Sequence, residues 1–133
     1  MKKQCTAVMS GCLLLLSGCM GELSKGWDAV RLSGHPIVKA SGFDSTLASV
    51  VAVAGEPKTK STIRNGNGIC YDYDISGNGR SSPYYIAFNK NNMTTRYGYI
   101  TCKEADDQGM LKDDRPVKVA YCSENPREDV CKK

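Results

Sequence analysis

The sequence predicts an α+β fold: two helices packed on a three-stranded antiparallel sheet, stapled by disulfides and followed by an irregular C-terminal tail. One change of hydrophobic period and one count of cysteines carry this reading. Apolar residues recur with helical spacing between Asp44 and Gly55, and with strand spacing after Pro57. Four cysteines remain once an exported leader is set aside.

The leader comes first. Lys2 and Lys3 precede an apolar stretch from Ala7 to Leu16, shorter than the roughly 20 residues that span a bilayer. It ends Leu16-Ser17-Gly18-Cys19, which resembles the lipobox of bacterial lipoproteins. That resemblance implies removal of residues 1–18, with Cys5 and Cys12 among them, and acylation of Cys19 as the first residue of the mature chain. Among bacterial lipoproteins an Asp after the cysteine favours the inner membrane; here Met20 follows, so the resemblance implies the outer membrane, facing the periplasm. Several acyl chains anchor far more firmly than one.

Residues 19–35 read as a lipidated flexible tether, with Gly21, Gly26, Ser33 and Gly34 and little apolar pattern apart from Trp27. Trp27 fits either docking on the domain or the level of lipid headgroups. A first short helix is expected over Pro36–Ala40. In the second, Asp44 suits the N-cap, and Leu47, Val50, Val51 and Ala54 form one apolar face. Gly55 suits the C-terminal cap and Pro57 blocks continuation. Valines form helices poorly, so packing must hold this one.

Ile69, Tyr71, Tyr73 and Ile75 then alternate with Cys70, Asp72 and Asp74, the pattern of a strand with one buried face. The turn at 76–79 leads to a second strand at 84–89 and a third at 93–101. Strands joined by short turns make an antiparallel meander, and the preceding helices are its natural cover. The domain therefore spans 36–106, and 107–133 is a charged, turn-rich tail with a disulfide loop.

The formal charge of +4 falls to +2 without Lys2 and Lys3, and both signs are interspersed. A nucleic-acid footprint needs a clustered basic face, so no nucleic-acid partner is expected. The mature chain, Cys19 to Lys133, holds 115 residues, one small domain. Cys70, Cys102, Cys122 and Cys131 lack a C-x-x-C pair, and His35 is the only histidine, so two disulfides outweigh a zinc site or a redox pair. Asp72, Asp74, Ser76 and Gly77 begin like a calcium loop, but position 12 is Pro83 instead of a bidentate Glu and the flanks read as strands. His35 has no nucleophile or carboxylate in a recognisable arrangement. Asn92-Met93-Thr94 matches a glycosylation acceptor, a chance match in a bacterial lipoprotein. No catalytic residue, metal ligand or cofactor is expected. Six tyrosines lie in the strands, at 71, 73, 84, 85, 97 and 99, divided between core and interaction face.

Three stretches together carry a family resemblance: GFDSTLASVVAVAGEP, NGICYDYDI and AFNKNNMTTRYGYITCKEAD. Their order and spacing resemble the OsmE-like osmotically inducible lipoproteins, relatives of the BamE (SmpA/OmlA) superfamily, over residues 36–106. The pair Gly68-Ile69-Cys70 and Gly98-Tyr99-Ile100-Thr101-Cys102 is the more telling part, because OsmE-like proteins carry both cysteines there. The resemblance implies the BamE-like fold and pairs Cys70 with Cys102, leaving Cys122 with Cys131. In a strict meander Cys70 and Cys102 lie at opposite ends and about 9 to 10 Å apart across two strands, beyond the reach of a bridge. The bridge needs a bend after the third strand, for example at Gly98, or a different strand edge; the other two pairings stay open. Lipobox, compartment, fold pattern and the lack of a catalytic constellation together predict a non-enzymatic lipoprotein that acts by binding an envelope protein, in envelope integrity or outer-membrane protein assembly, with the OsmE resemblance adding osmotic stress. The BamE relationship makes the barrel-assembly machinery a candidate for that partner. The shape also resembles β-lactamase inhibitory proteins, which makes inhibition of a periplasmic hydrolase the alternative.

Overall fold

The computed structural model describes residues 26–64 and 66–132. The helices are α1 (residues 26–32), α2 (Pro36–Ala40), α3 (Leu47–Ala54), α4 (Cys102–Asp107) and α5 (Val117–Glu124). The strands are β1 (Thr59–Thr62), β2 (Gly68–Gly77), β3 (Arg80–Asn89) and β4 (Thr94–Gly98). They form one antiparallel sheet in the order β1-β2-β3-β4. Among the described residues no helix is long and apolar enough to cross a membrane.

Helices α2 and α3 and strand β2 lie where expected, and β3 starts at Arg80, four residues before the expected 84, because Asn78-Gly79 alone make the turn. Pro36 opens α2, and His35 caps it by accepting the Ile37 N–H on Nδ1 at 3.3 Å. The N-cap of α3 is Thr46, not the expected Asp44. Thr46 and Ser49 form a reciprocal capping box, while Asp44 sits two residues early with φ 61°. Gly55, at φ 72°, ends α3 in a conformation that suits glycine. Asn78 and Gly79, both at positive φ, make the two-residue turn between β2 and β3. Their φ values match the twist of flanking strands in a type I′ hairpin.

One face of the sheet presents Tyr71, Tyr73, Ile75, Tyr84, Ile86 and Phe88 to Leu32, Ile37 and Val50. Leu47, Val51 and Ala54 pack against the same core, so the predicted apolar face of α3 is its buried face. The other face is covered too. Cys70, Tyr85 and Ala87 meet Ile63, Cys102, Ala105 and Leu111. Hence Tyr84 to Phe88 are all buried, as a strand covered on both sides requires.

Five expectations are corrected. Among the described residues there are five α-helices instead of two, because α1, α4 and α5 form where a tether, a strand end and a tail were expected. The sheet has four strands instead of three. β1 is exposed at every position, so it has no apolar alternation to read, and its place rests on pairing with β2. Residues 107–133 are not wholly irregular, because α5 lies within them. The expected flexible tether at 19–35 is helical from residue 26 to 32, with Leu32 buried; residues 19–25 lie outside the described residues. The third expected strand also ends early: β4 stops at Gly98, and Thr101 instead caps α4.

Candidate binding face

Cys19, the expected lipidation site, lies outside the described residues. The four remaining cysteines form two disulfides. Cys70–Cys102 has a Cα separation of 5.9 Å and Cys122–Cys131 one of 5.4 Å. The difficulty of reach is solved by the short β4. The chain leaves the sheet at Gly98, Tyr99 packs on one core and Ile100 on the other, and α4 starts on the second face of β2. The Gly98 position is tight: a Cβ there would stand 3.1 Å from the Tyr85 ring. The Cys102 N–H donates to the Asp72 carboxylate at 2.7 Å, which fixes the start of α4 beside the bridge.

The motif at Asp72 and Asp74 is therefore structural. Asp72 also accepts from the Thr59 hydroxyl at 2.9 Å, and Asp74 pairs with Lys58 at 2.8 Å. Both carboxylates tie the edge of the sheet together. Among the described residues no group of three or more His, Cys, Asp or Glu is placed to hold a metal ion. Of the strand tyrosines, Tyr71, Tyr73, Tyr84 and Tyr85 are buried, and Tyr97 is exposed. Burial pushes the Tyr73 phenol up to about 12. Burial raises Tyr84 as well, against a 2.7 Å hydrogen bond with the Ser41 hydroxyl. These phenols stay neutral at physiological pH and serve packing.

The exposed tyrosine marks a different place. Between the edge strand β4 and α5 lies an open groove of about 310 Å³, lined by Arg96, Tyr97, Arg115, Tyr121 and Glu124. Two contacts seat α5 against the loop before α3: the Phe43 and Tyr121 rings stand 5.2 Å apart, and Lys118 reaches Asp44 at 3.3 Å. Within the groove Arg115 grips Asp113 through Nε and a terminal nitrogen, and these hydrogen bonds hold that carboxyl below the usual range. The result is an aromatic floor flanked by both signs of charge. Such a surface can bind a protein or peptide by stacking and charge-assisted hydrogen bonds. Sequence reading reached Tyr97 but missed Phe43, Arg115 and Tyr121. α5 has no side-chain cap and no buried residue, so neither of the usual helix signals marks it.

A four-stranded antiparallel sheet with helices on one face, and a second-face helix bridged to a strand by Cys70–Cys102, defines a small disulfide-tied α+β domain. The chain is similar to OsmE, by name an osmotically inducible lipoprotein, from Escherichia coli strain K12. The two are 26% identical over 109 residues, 80% of this chain and 94% of the relative. The same figures hold for OsmE of strain O157:H7. A crystal structure described as an osmotically inducible lipoprotein OsmE shares the fold, with a TM-score of 0.57 at 20% identity, covering 62% of this chain and 95% of its own. No family model matches the chain.

Proposed function

We propose that this chain is a non-enzymatic lipoprotein, acylated at Cys19 and held on the periplasmic side of the outer membrane, which binds another envelope protein through the β4–α5 groove. The groove itself carries the reading. Tyr97 and Tyr121 are exposed there between Arg96 and Arg115, and tyrosine and arginine are the residues interfaces favour. The chemistry elsewhere supports binding over catalysis: the four downstream cysteines are bridged, and His35 is engaged as a helix cap. Two disulfides suit an oxidising compartment, and the lipobox-like Leu16-Ser17-Gly18-Cys19 suits export and anchoring. The relatives' name connects the role to osmotic stress. Envelope integrity and outer-membrane protein assembly are the processes to examine, with the barrel-assembly machinery as first partner.

The test places a photo-crosslinking amino acid at Tyr121 in the full-length chain in cells. Lys60, on the opposite edge of the sheet, is the control position, and Cys19→Ser the unanchored control. The expected result is a specific envelope-protein adduct from position 121, absent from position 60 and lost with Cys19→Ser. Equal adducts from both positions remove the groove from the argument. Capture of a soluble periplasmic hydrolase, inactivated on one-to-one binding, replaces the assembly role with that of an inhibitor.

A further inference from the structure

We infer that the outer face of α1 is a membrane-docking surface, which lies on the lipid headgroups and fixes how the domain stands on its anchor. The inference rests on the reading of Cys19 as an acylated anchor.

Helix α1 has two unlike faces. Leu32 is buried in the core against the β2–β3 hairpin, close to Gly77. On the outer side Trp27 is 55% exposed and Val30 69% exposed. With the exposed Arg31 they fall at positions i, i+3 and i+4, one stripe of a helix. Trp27 is the only tryptophan of the chain, and Val30 is the most exposed large apolar residue among the described residues. The domain thus spends its tryptophan on the surface, while packing smaller residues inside.

The place of this stripe along the chain identifies what covers it. Seven residue steps separate Cys19 from Gly26, a reach of at most about 25 Å fully extended. An acylated Cys19 therefore keeps the start of α1, the first described element of the chain, within about 25 Å of the bilayer. The side chains fit that position. Tryptophan settles at the headgroup level, and arginine extends along an apolar surface to set its charge among phosphates.

The helix is also clamped in this orientation. Tyr99 donates to the Ala29 carbonyl at 3.4 Å, Asn78 to the Arg31 carbonyl at 3.0 Å, and Arg80 stands 3.6 Å from the Asp28 carboxylate. These bonds engage the inner side of α1 and leave Trp27 and Val30 outward. A membrane contact through them is transmitted to the whole sheet instead of to a loose arm.

The experiment uses the full-length protein, processed in cells, purified and reconstituted in vesicles of phosphatidylethanolamine and phosphatidylglycerol. Trp27 is its own probe, since no other tryptophan contributes. Vesicles with brominated acyl chains should quench its emission by about half or more relative to unbrominated ones, as for a side chain at the interface. Val30→Asp, at an exposed position that leaves folding intact, should reduce this quenching severalfold. The mass of the N-terminal peptide reports acylation independently. An acylated chain whose Trp27 is not quenched overturns the docking surface while leaving the anchor standing. A chain without acyl groups overturns the anchor, and the docking inference with it.

Discussion

At the scale of single residues, two glycines in the OsmE-like motif have separate physical reasons. Gly98 leaves room for the Tyr85 ring, as its 3.1 Å clearance shows. Gly68 is more constrained. It has φ 150°, and a Cβ there would lie 1.9 Å from the Phe88 carbonyl oxygen. That contact is with backbone, so no side chain can swing away. Gly68→Ala is expected to cost at least about 2 kcal/mol, read as a fall in the urea midpoint. Gly34→Ala, with nothing within 4 Å of its Cβ, should stay within about 0.5 kcal/mol. Equal effects would contradict the steric account. The buried phenols make a second prediction. Tyr73 ionises near 10 when unfolded but only near 12 in the fold, because burial disfavours the charged form. Between those values the unfolded chain loses its proton first, so stability is complete below pH 10 and falls as pH rises toward 12. Burial raises Tyr84 and Tyr99 too, which adds to the loss. Urea midpoints at stepped alkaline pH measure it, and Tyr73→Phe should flatten the slope.

At the scale of elements, the two disulfides have different work. Cys70–Cys102 closes 32 residues, and in the chain-entropy picture a loop of that size contributes about 3 to 4 kcal/mol. Replacing both cysteines by alanine should lower the stability of the whole domain by that order, since the bridge joins α4 to a central strand. Cys122–Cys131 closes only 9 residues and ties down α5, which buries none of its side chains fully. Cys122→Ser with Cys131→Ser should release α5 alone. Hydrogen exchange would then quicken at α5 amides and hold at β3 amides; quickening at both would mean that α5 is integral to the core. The same contrast explains which elements the sequence made legible. α3 and β2 carry one-sided apolar periods and were readable: one face of each packs on the first core, while the second face of β2 is buried at Cys70 and polar at Asp72 and Asp74. β1 is polar and exposed throughout, so its pairing with β2 is a tertiary fact with no local signal. α5 is held by a disulfide, the Phe43–Tyr121 contact and the Lys118–Asp44 pair, none of which a helical period reveals. The groove was hidden for the same reason: four of its nine lining residues come from α5.

At the scale of the molecule, burial on both sheet faces resolves the pairing that a meander seemed to forbid. The run Tyr84-Tyr85-Ile86-Ala87-Phe88 held that information, since a continuous apolar strand means cover on both sides. One helix layer lies N-terminal in sequence and the other C-terminal, so the chain must leave the sheet after β4 and cross to the second face. Cys102 thereby comes to Cys70. The same topology sets the two poles of the domain. The Asn78-Gly79 turn sits beside α1, and the Asn89–Asn92 turn lies at the far end of the same ten-residue strands. At about 3.4 Å per residue these poles are roughly 30 Å apart. If α1 rests on the headgroups, the strands stand away from the bilayer and the two turns sample different depths. Paramagnetic headgroup lipids in vesicles carrying the acylated chain should broaden the amide signals of Asn78, Gly79 and Arg80. The signals of Asn91 and Asn92 should keep their widths, because dipolar relaxation fades over such a distance. Comparable broadening at both turns would mean that the strands lie flat on the membrane, with one long side of the sheet, not α1, as the contact. The β4–α5 groove would then compete with lipid for its own surface, and a protein partner would have to bind elsewhere.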